Sequence, residues 1–73
     1  MRVQLVSRDG CHLCEDAEQL LHRRAIPFER LNVDARPDLL AEYDKRVPVL
    51  LIDGAPAGEG CIEDHTLAAA LSR

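Results

Sequence analysis

The stretch RVQLVSRDGCHLC, from Arg2 to Cys14, decides the fold because it places two cysteines where a strand gives way to a helix. Residues 2–7 form a short segment rich in Val and Leu, which is typical of a buried strand. Polar turn residues at 8–10 end the pattern. Over residues 12–24 apolar side chains recur at helical spacing, so the sequence predicts an amphipathic helix. Its inward positions would be Leu13, Ala17, Leu20 and Leu21.

The middle of the chain predicts a second strand and a second helix. Residues 27–33 alternate roughly between apolar and polar side chains, as a half-buried strand does. Pro37 fits the first turn of a short helix that runs to about Tyr43. The core side of this helix would be formed by Leu39, Leu40 and Tyr43.

The last third of the chain predicts a hairpin and a final helix. Residues 48–52, PVLLI, are continuously apolar, and the Asp-Gly pair at 53–54 is a hairpin signal before a weaker strand over residues 57–62. Either Glu63 or Asp64 can cap the last helix, since acidic side chains suit the positive end of a helix dipole. The inward side chains would be Leu67, Ala68 and Leu71.

The predicted order is therefore β-α-β-α-β-β-α, an α/β architecture in one domain spanning residues 1–73. A strand-helix-strand beginning of this length implies a right-handed parallel crossover, and the terminal hairpin adds two strands to the same sheet. The sequence predicts a four-stranded mixed sheet flanked by helices. A chain of 73 residues is long enough for one core and too short for two.

Composition excludes several classes of function. Apolar residues make up 47% and charged residues 30%, which is ordinary for a globular domain. The net charge is -4, the nine Lys and Arg are scattered, and there is one Tyr, one Phe and no Trp, so we expect no nucleic-acid partner. The N-terminal segment is too short for a signal sequence, so we expect a cytoplasmic protein with no membrane partner.

The cysteine pair Cys11-His12-Leu13-Cys14 carries the predicted chemistry. Residues three apart on a helix lie about 5 to 6 Å from each other, which suits disulfide geometry. Because unpaired N–H groups at a helix N-terminus favour a thiolate, we expect Cys11 to be the more acidic thiol and the nucleophile, and Cys14 to be the resolving thiol. His12 would either lower the pKa of Cys11 further or point to water.

A CxxC pair alone is also compatible with half a zinc site or with two unreactive thiols. Its position after a strand and at the start of a helix in a β-α-β unit favours a thioredoxin-like redox motif. Three cysteines in 73 residues are too few for a disulfide scaffold, which points in the same direction.

The segment VSRDGCHLC resembles the strand, basic residue and CxxC of glutaredoxins, and RVPVLLIDG resembles their later segment with a cis-proline. The resemblance covers nearly the whole chain and is strongest to short glutaredoxin-like proteins, in which a Tyr ends the helix before a Val-Pro-Val-Leu segment, as Tyr43 does here before residues 47–50. It implies a minimal thioredoxin fold with sheet order 4-3-1-2 and the third strand antiparallel.

The resemblance also implies roles for individual residues. It makes Cys11 the nucleophile, Cys14 the resolving thiol and Pro48 a cis-proline facing them, with Val47 offering backbone hydrogen bonds to a substrate. Arg8 stands where glutaredoxins usually carry a Lys that helps to bind a carboxylate of glutathione. The further substrate-binding or glutathione-binding positions implied in this way are His12 and Asp64, the latter in the acidic pair that follows a glycine-containing segment.

Two departures from the glutaredoxin pattern bear on specificity. His-Leu replaces the usual Pro-Tyr between the cysteines, which changes the reduction potential. The family's Gly-Gly and acidic pair are matched only loosely, by residues 58–60 and 63–64.

The predicted function is that of a thiol-disulfide oxidoreductase in cell redox homeostasis and electron transport. We expect no permanently bound cofactor or metal, and glutathione as the co-substrate. The expected partners are glutathione or a disulfide-bearing protein, with glutathione or a thioredoxin-type reductase restoring the dithiol.

Two other functions remain open at the level of sequence. The chain could be a non-catalytic thioredoxin-fold module that binds a protein. Alternatively, Cys61 and His65, four residues apart, could complete a Cys3His zinc site with Cys11 and Cys14. The simpler interpretation makes Cys61 a small half-buried residue on the last strand.

Overall fold

The structure is a computed structural model, and it describes residues 1–72. Its element order confirms the predicted succession and adds one turn of 3-10 helix after the second strand. The strands are β1 (Val3–Ser7), β2 (Glu29–Asn32), β3 (Val49–Ile52) and β4 (Ala55–Glu59). The helices are α1 (His12–Arg23), α2 (Pro37–Tyr43) and α3 (Asp64–Leu71), and the 3-10 turn is Val33–Ala35.

The four strands form one mixed sheet in the order β2-β1-β3-β4. β1 and β2 run parallel, as the α1 crossover requires, and β3 runs antiparallel to both of its neighbours. The predicted thioredoxin-fold topology is therefore confirmed. Asp53 and Gly54 both have positive φ, 51° and 84°, which is the geometry of a two-residue hairpin turn.

Helices cover both sides of the sheet. Neighbouring side chains of a strand point to opposite faces, so the sheet has a core on each side. On the α1/α3 face, Leu5 of β1 belongs to a core shared with α1, α3 and β3. On the α2 face, Val6 belongs to a smaller core shared with α2, the 3-10 turn and β3. Cys14 lies on α1 and is fully buried.

One predicted inward position of α1 is wrong. Leu13 is 43% exposed, whereas Cys14, one residue later, is completely buried. Cys14, Ala17 and Leu21 are spaced by three and four residues, so they form one stripe of the helix as well as a stripe through Leu13 would. A free cysteine packs like a small apolar residue, and here it takes the inward position.

Four details of the later elements also differ from expectation. Leu40 of α2 lies on the exposed side, and in α3 it is Ala70 that is buried, while Ala68 is exposed. β4 ends at Glu59 because the hairpin turn uses only two residues and the strand starts at once. Cys61 therefore lies after the strand and is exposed, contrary to the half-buried strand position predicted for it.

The packing of α3 against β4 depends on a glycine. A Cβ atom on Gly58 would lie 2.7 Å from Cγ2 of Thr66, closer than carbon atoms can approach. The pairing of β3 with β4 is also irregular between Leu50 and Leu51, where Gly58 and Pro56 are the respective partners.

Within residues 1–72, no helix is long and apolar enough to cross a membrane.

Candidate active site

The cysteine pair sits at the N-terminal end of α1, as predicted. Cys11 is the N-cap residue in an extended conformation, and its carbonyl accepts the first helical hydrogen bond, from the N–H of Glu15 at 3.0 Å. Gly10 has a φ of 74°, which allows the sharp turn between β1 and the helix. The N–H of Cys14 donates to Sγ of Cys11 at 3.2 Å. This sulfur therefore takes the place of the usual oxygen in an N-cap.

The two thiols differ in environment. Cys11 is half-buried and Cys14 is fully buried. Burial raises the pKa of the Cys14 thiol to about 12, and its hydrogen bond to Cys11 adds to this effect. Cys14 therefore holds its proton in the folded state, while the sulfur of Cys11 receives a backbone N–H and has access to solvent.

Pro48 lies at the same end of the sheet as the dithiol. The Val47–Pro48 peptide bond is cis, as predicted. The antiparallel register pairs Val6 with Val49, so Pro48, the residue before β3, lies beside Ser7 at the end of β1. The carbonyl of Pro48 accepts from the N–H of Gly60 at 2.9 Å, which holds the segment after β4 beside it.

Val47 has backbone groups free for a partner. In the part of the chain that the structure describes, its N–H and C=O make no backbone hydrogen bond. An extended substrate pairs most readily with such unused main-chain groups.

Arg8 is held by two carboxylates rather than pointing freely into the site. Its Nε and Nη2 donate to the two oxygens of Asp34 at 3.1 and 2.8 Å. Nη2 also donates to Oδ1 of Asp44 at 2.7 Å, and Nη1 donates to the carbonyl of Asp44 at 3.1 Å. Four of the five guanidinium N–H groups are thus occupied. We call Arg8, Asp34 and Asp44 the Arg8 cluster.

The sequence reasoning did not find the two carboxylates of this cluster. A signal existed for Asp44, which directly follows the last residue of α2. A carboxylate at the C-terminal end of a helix is unfavourable, because the dipole is negative there, unless a cation lies nearby. Asp34 offers no comparable signal, since an acidic residue in the first turn of a 3-10 helix is ordinary.

Two other predicted site residues have their own partners. His12 is exposed, with Nε2 at 3.8 Å from a carboxylate oxygen of Asp16, so its ring lies on the outer side of α1. Asp64 starts α3 and accepts a hydrogen bond from Nε of Arg24 at 2.9 Å, which links the end of α1 to the beginning of α3.

The third cysteine is not assembled with the other two. Within residues 1–72, no three His, Cys, Asp or Glu side chains are arranged to hold a metal ion, so the Cys3His arrangement with His65 is not formed in this structure. Sγ of Cys61 instead lies 3.4 Å from Oε1 of Glu63, a contact that raises the pKa of the thiol.

Ser7, the last residue of β1, was not singled out from the sequence. It is completely buried, and its hydroxyl has no hydrogen-bond partner among residues 1–72. Its side chain points to the α1/α3 face, since it lies two residues after Leu5 in the same strand.

A sheet of this topology with a cysteine pair opening its first helix defines a glutaredoxin-like protein of the thioredoxin fold. The chain belongs to the family described as Glutaredoxin-like domain (DUF836), whose sequence profile matches residues 2–72.

Relatives and solved structures agree with this assignment. An uncharacterised protein of Mycobacterium tuberculosis is 32% identical over 99% of this chain and 84% of its own length. A protein named glutaredoxin from Pseudomonas aeruginosa is 34% identical over 78% of this chain and 73% of its own length.

Among solved structures, a structural genomics target from X. campestris superimposes with a TM-score of 0.84 at 32% identity, covering 96% of this chain and 95% of that one. The holo form of poplar glutaredoxin C1 superimposes with a TM-score of 0.65 at 26% identity, covering 97% and 74%. The glutaredoxin-like fold and the closeness of Cys11 to Cys14 support a redox-type role.

Proposed function

We propose that the protein is a thiol-disulfide oxidoreductase of cell redox homeostasis, with Cys11 as the nucleophile and Cys14 as the resolving thiol. The observation that carries this proposal is the hydrogen bond from the N–H of Cys14 to Sγ of Cys11 at the start of α1. A backbone donor and the positive end of a helix both stabilise negative charge, and both act on the half-buried sulfur. The buried Cys14 thiol keeps its proton until it attacks the mixed disulfide on Cys11.

The reaction proceeds in two exchanges. The Cys11 thiolate attacks one sulfur of a substrate disulfide, a Cys11–substrate disulfide forms, and the other half leaves as a thiolate that takes up a proton. Cys14 then loses its proton and attacks Sγ of Cys11, which forms the Cys11–Cys14 disulfide and releases the second thiol. Two electrons pass from the dithiol to the substrate, which is fully reduced.

The proposed partners are glutathione, or its disulfide, and proteins that carry a disulfide. The cis-Val47–Pro48 segment supports this proposal, since its free main-chain groups suit an extended thiol or peptide. Glutathione would act as a co-substrate, and either glutathione or a thioredoxin-type reductase would restore the dithiol. Such a reductive cycle fits the cytoplasm, where thiols are kept reduced.

The test compares two cysteine variants in a background that lacks the exposed third thiol, Cys61→Ser. Reduced protein is mixed with bis(2-hydroxyethyl) disulfide, and mass spectrometry follows the products. Cys11→Ser should abolish disulfide reduction because the attacking sulfur is gone. Cys14→Ser should accumulate a mixed disulfide heavier than the reduced protein by one mercaptoethanol less two hydrogens, since nothing resolves it.

The Cys61→Ser protein itself is the control, and it should end as a species lighter by two hydrogens. Its reduction potential in glutathione buffers should fall between about -180 and -280 mV, the range of cellular dithiol reductases. Equal and mild effects of the two variants would overturn the assigned roles. Thiols that stay silent throughout would favour a non-catalytic binding module.

A further inference from the structure

We propose that Asp34 and Asp44 select the substrate of this site by occupying Arg8, so that neutral or cationic disulfides react in preference to anionic ones. The inference rests on the proposed function and decides between its two classes of partner. Glutathione carries two carboxylates and one ammonium group, so its disulfide is anionic. A protein disulfide with neutral or basic neighbours is therefore the favoured substrate.

The guanidinium of Arg8 is already bound by carboxylates of the same chain. Arg8 lies three residues before Cys11, so it is the cation of the β1–α1 connection that is nearest in sequence to the nucleophile. Its fork is already satisfied by paired bonds to Asp34 and by two further bonds to Asp44. One N–H is left, so a substrate carboxylate could form a paired contact with Arg8 only by displacing Asp34 or Asp44, which the chain holds in place.

The net charge of the Arg8 cluster also acts on an approaching substrate. One guanidinium faces two carboxylates, so the cluster has a net negative charge. The Asp34 and Asp44 contacts raise the pKa of Arg8, and Arg8 lowers the pKa of Asp34, so Arg8 and Asp34 keep their charges near neutral pH. The cluster repels an approaching anion and attracts a cation.

Two further arginines repeat the pattern of one cation held by two carboxylates. Their partners come from the segment before the dithiol, from α1, from α2 and from β4. Arg30 is bound by Asp9 and Glu18, and Arg46 is bound by Glu42 and Glu59.

Arg46 directly precedes Val47, so the same surplus of negative charge extends to the cis-proline segment. Lys45 has no ion-pair partner among residues 1–72, but its single charge offsets only one of the three surplus carboxylates. The three arginine groups and Lys45 together carry a net negative charge.

The experiment uses three small disulfides of different charge. Reduced protein is oxidised at low ionic strength by glutathione disulfide, by bis(2-hydroxyethyl) disulfide and by cystamine, which carries two ammonium groups. The rate constants are divided by those of dithiothreitol with the same reagents, which removes the intrinsic reactivity of each disulfide. The preference is the ratio of the cystamine value to the glutathione disulfide value.

We expect the native chain to show a preference of about tenfold or more, since complementary charge acts mainly on the rate of encounter. Asp34→Asn and Asp44→Asn should each lower it about threefold, and the double variant about tenfold, because Arg8 becomes available to a carboxylate. Asp53→Asn is the matched control, since it removes the same charge at the hairpin and tolerates the positive φ of that residue. It should leave the preference unchanged.

Salt provides a test that needs no variant. The preference of the native chain should shrink between about 0.01 and 1 M salt, because the Debye length falls from about 30 to 3 Å. A preference that is the same in the Asn variants as in the native chain, or a native preference for glutathione disulfide, overturns the inference alone. If the native chain reduces the neutral disulfide no faster than Cys11→Ser, the proposed function is overturned and this inference with it.

Discussion

The two faces of the sheet are held together by different means. Among residues 1–72, ten buried apolar residues form one cluster on the α1/α3 face and five form the cluster on the α2 face, so the smaller layer has less apolar area to hold it. The α2 face compensates with charge, because the Arg8 cluster joins the end of β1 to the 3-10 turn and to the end of α2. The larger core anchors the helix that carries the cysteine pair, and the smaller one carries the groups proposed to select the substrate.

Leucine truncations on the two faces provide the largest test of this difference. Leu21→Ala should cost about 3 to 4 kcal/mol, since Leu21 is 1% exposed in the larger cluster and a rigid cavity would remain. Leu39→Ala should cost about 2 kcal/mol, because Leu39 lies at the margin of the smaller cluster on a helix of seven residues that can shift.

Urea unfolding of the reduced proteins measures both values, with the slope of the transition showing whether each variant unfolds in one step. Leu40→Ala on the exposed side of α2 is the control and should change stability by less than about 0.5 kcal/mol. A larger cost for Leu39→Ala than for Leu21→Ala would contradict the comparison.

Alkaline pH should weaken the α1/α3 face through Cys14. Burial raises the pKa of this thiol from its usual 9.0 to about 12, so the folded state holds a proton that the unfolded chain releases. Its contribution to stability is complete below about pH 9 and is lost as the pH rises toward 12, at up to about 1.4 kcal/mol per pH unit.

The measurement is the stability of the reduced protein from pH 8 to 11, beside that of Cys14→Ala. The variant lacks this thiol and shares all other titrating groups, so its stability should fall less steeply over the same range. Parallel curves for the two proteins would show that burial does not hinder the ionisation of Cys14.

The smallest expected effect comes from Ser7, the polar side chain buried without a partner at the end of β1. Ser7→Ala should raise stability by about 0.5 to 1 kcal/mol, because it removes an unsatisfied hydroxyl from an apolar site. Ser72→Ala is the contrast, since that hydroxyl is exposed and donates to the carbonyl of Ala69 at 3.1 Å, and it should cost a few tenths of a kcal/mol. Thermal unfolding resolves the sign, and a destabilised Ser7→Ala would show that the hydroxyl has a role of its own.

Local pattern predicted most of the fold. The apolar strands, the helix that begins after Gly10 and the Asp53-Gly54 turn all depend on neighbouring residues, and each was found at or near its place. The errors lie where two local solutions are equivalent. Leu13 and Cys14 are both compatible with the stripe of α1, and hydrophobicity favoured the residue that the structure exposes.

The site could be predicted only in part. The spacing of the cysteines followed from the segment before α1, and the cis bond at Pro48 followed from the resemblance of residues 46–54 to a glutaredoxin segment. The partners of Arg8 did not, because Asp34 and Asp44 are 26 and 36 residues away in sequence. Long-range ion pairs leave no periodic pattern in the sequence, so only the folded structure shows them.

The irregular pairing of β3 with β4 has a consequence for the protein at high concentration. β4 is an outer strand, and an outer strand with regular, unpaired main-chain groups invites a strand from another copy. Pro56 removes one N–H donor from β4, and the register shift beside Leu51 breaks the even spacing that a second strand would need. This edge therefore opposes the growth of the sheet from one molecule to the next, which protects the protein against aggregation.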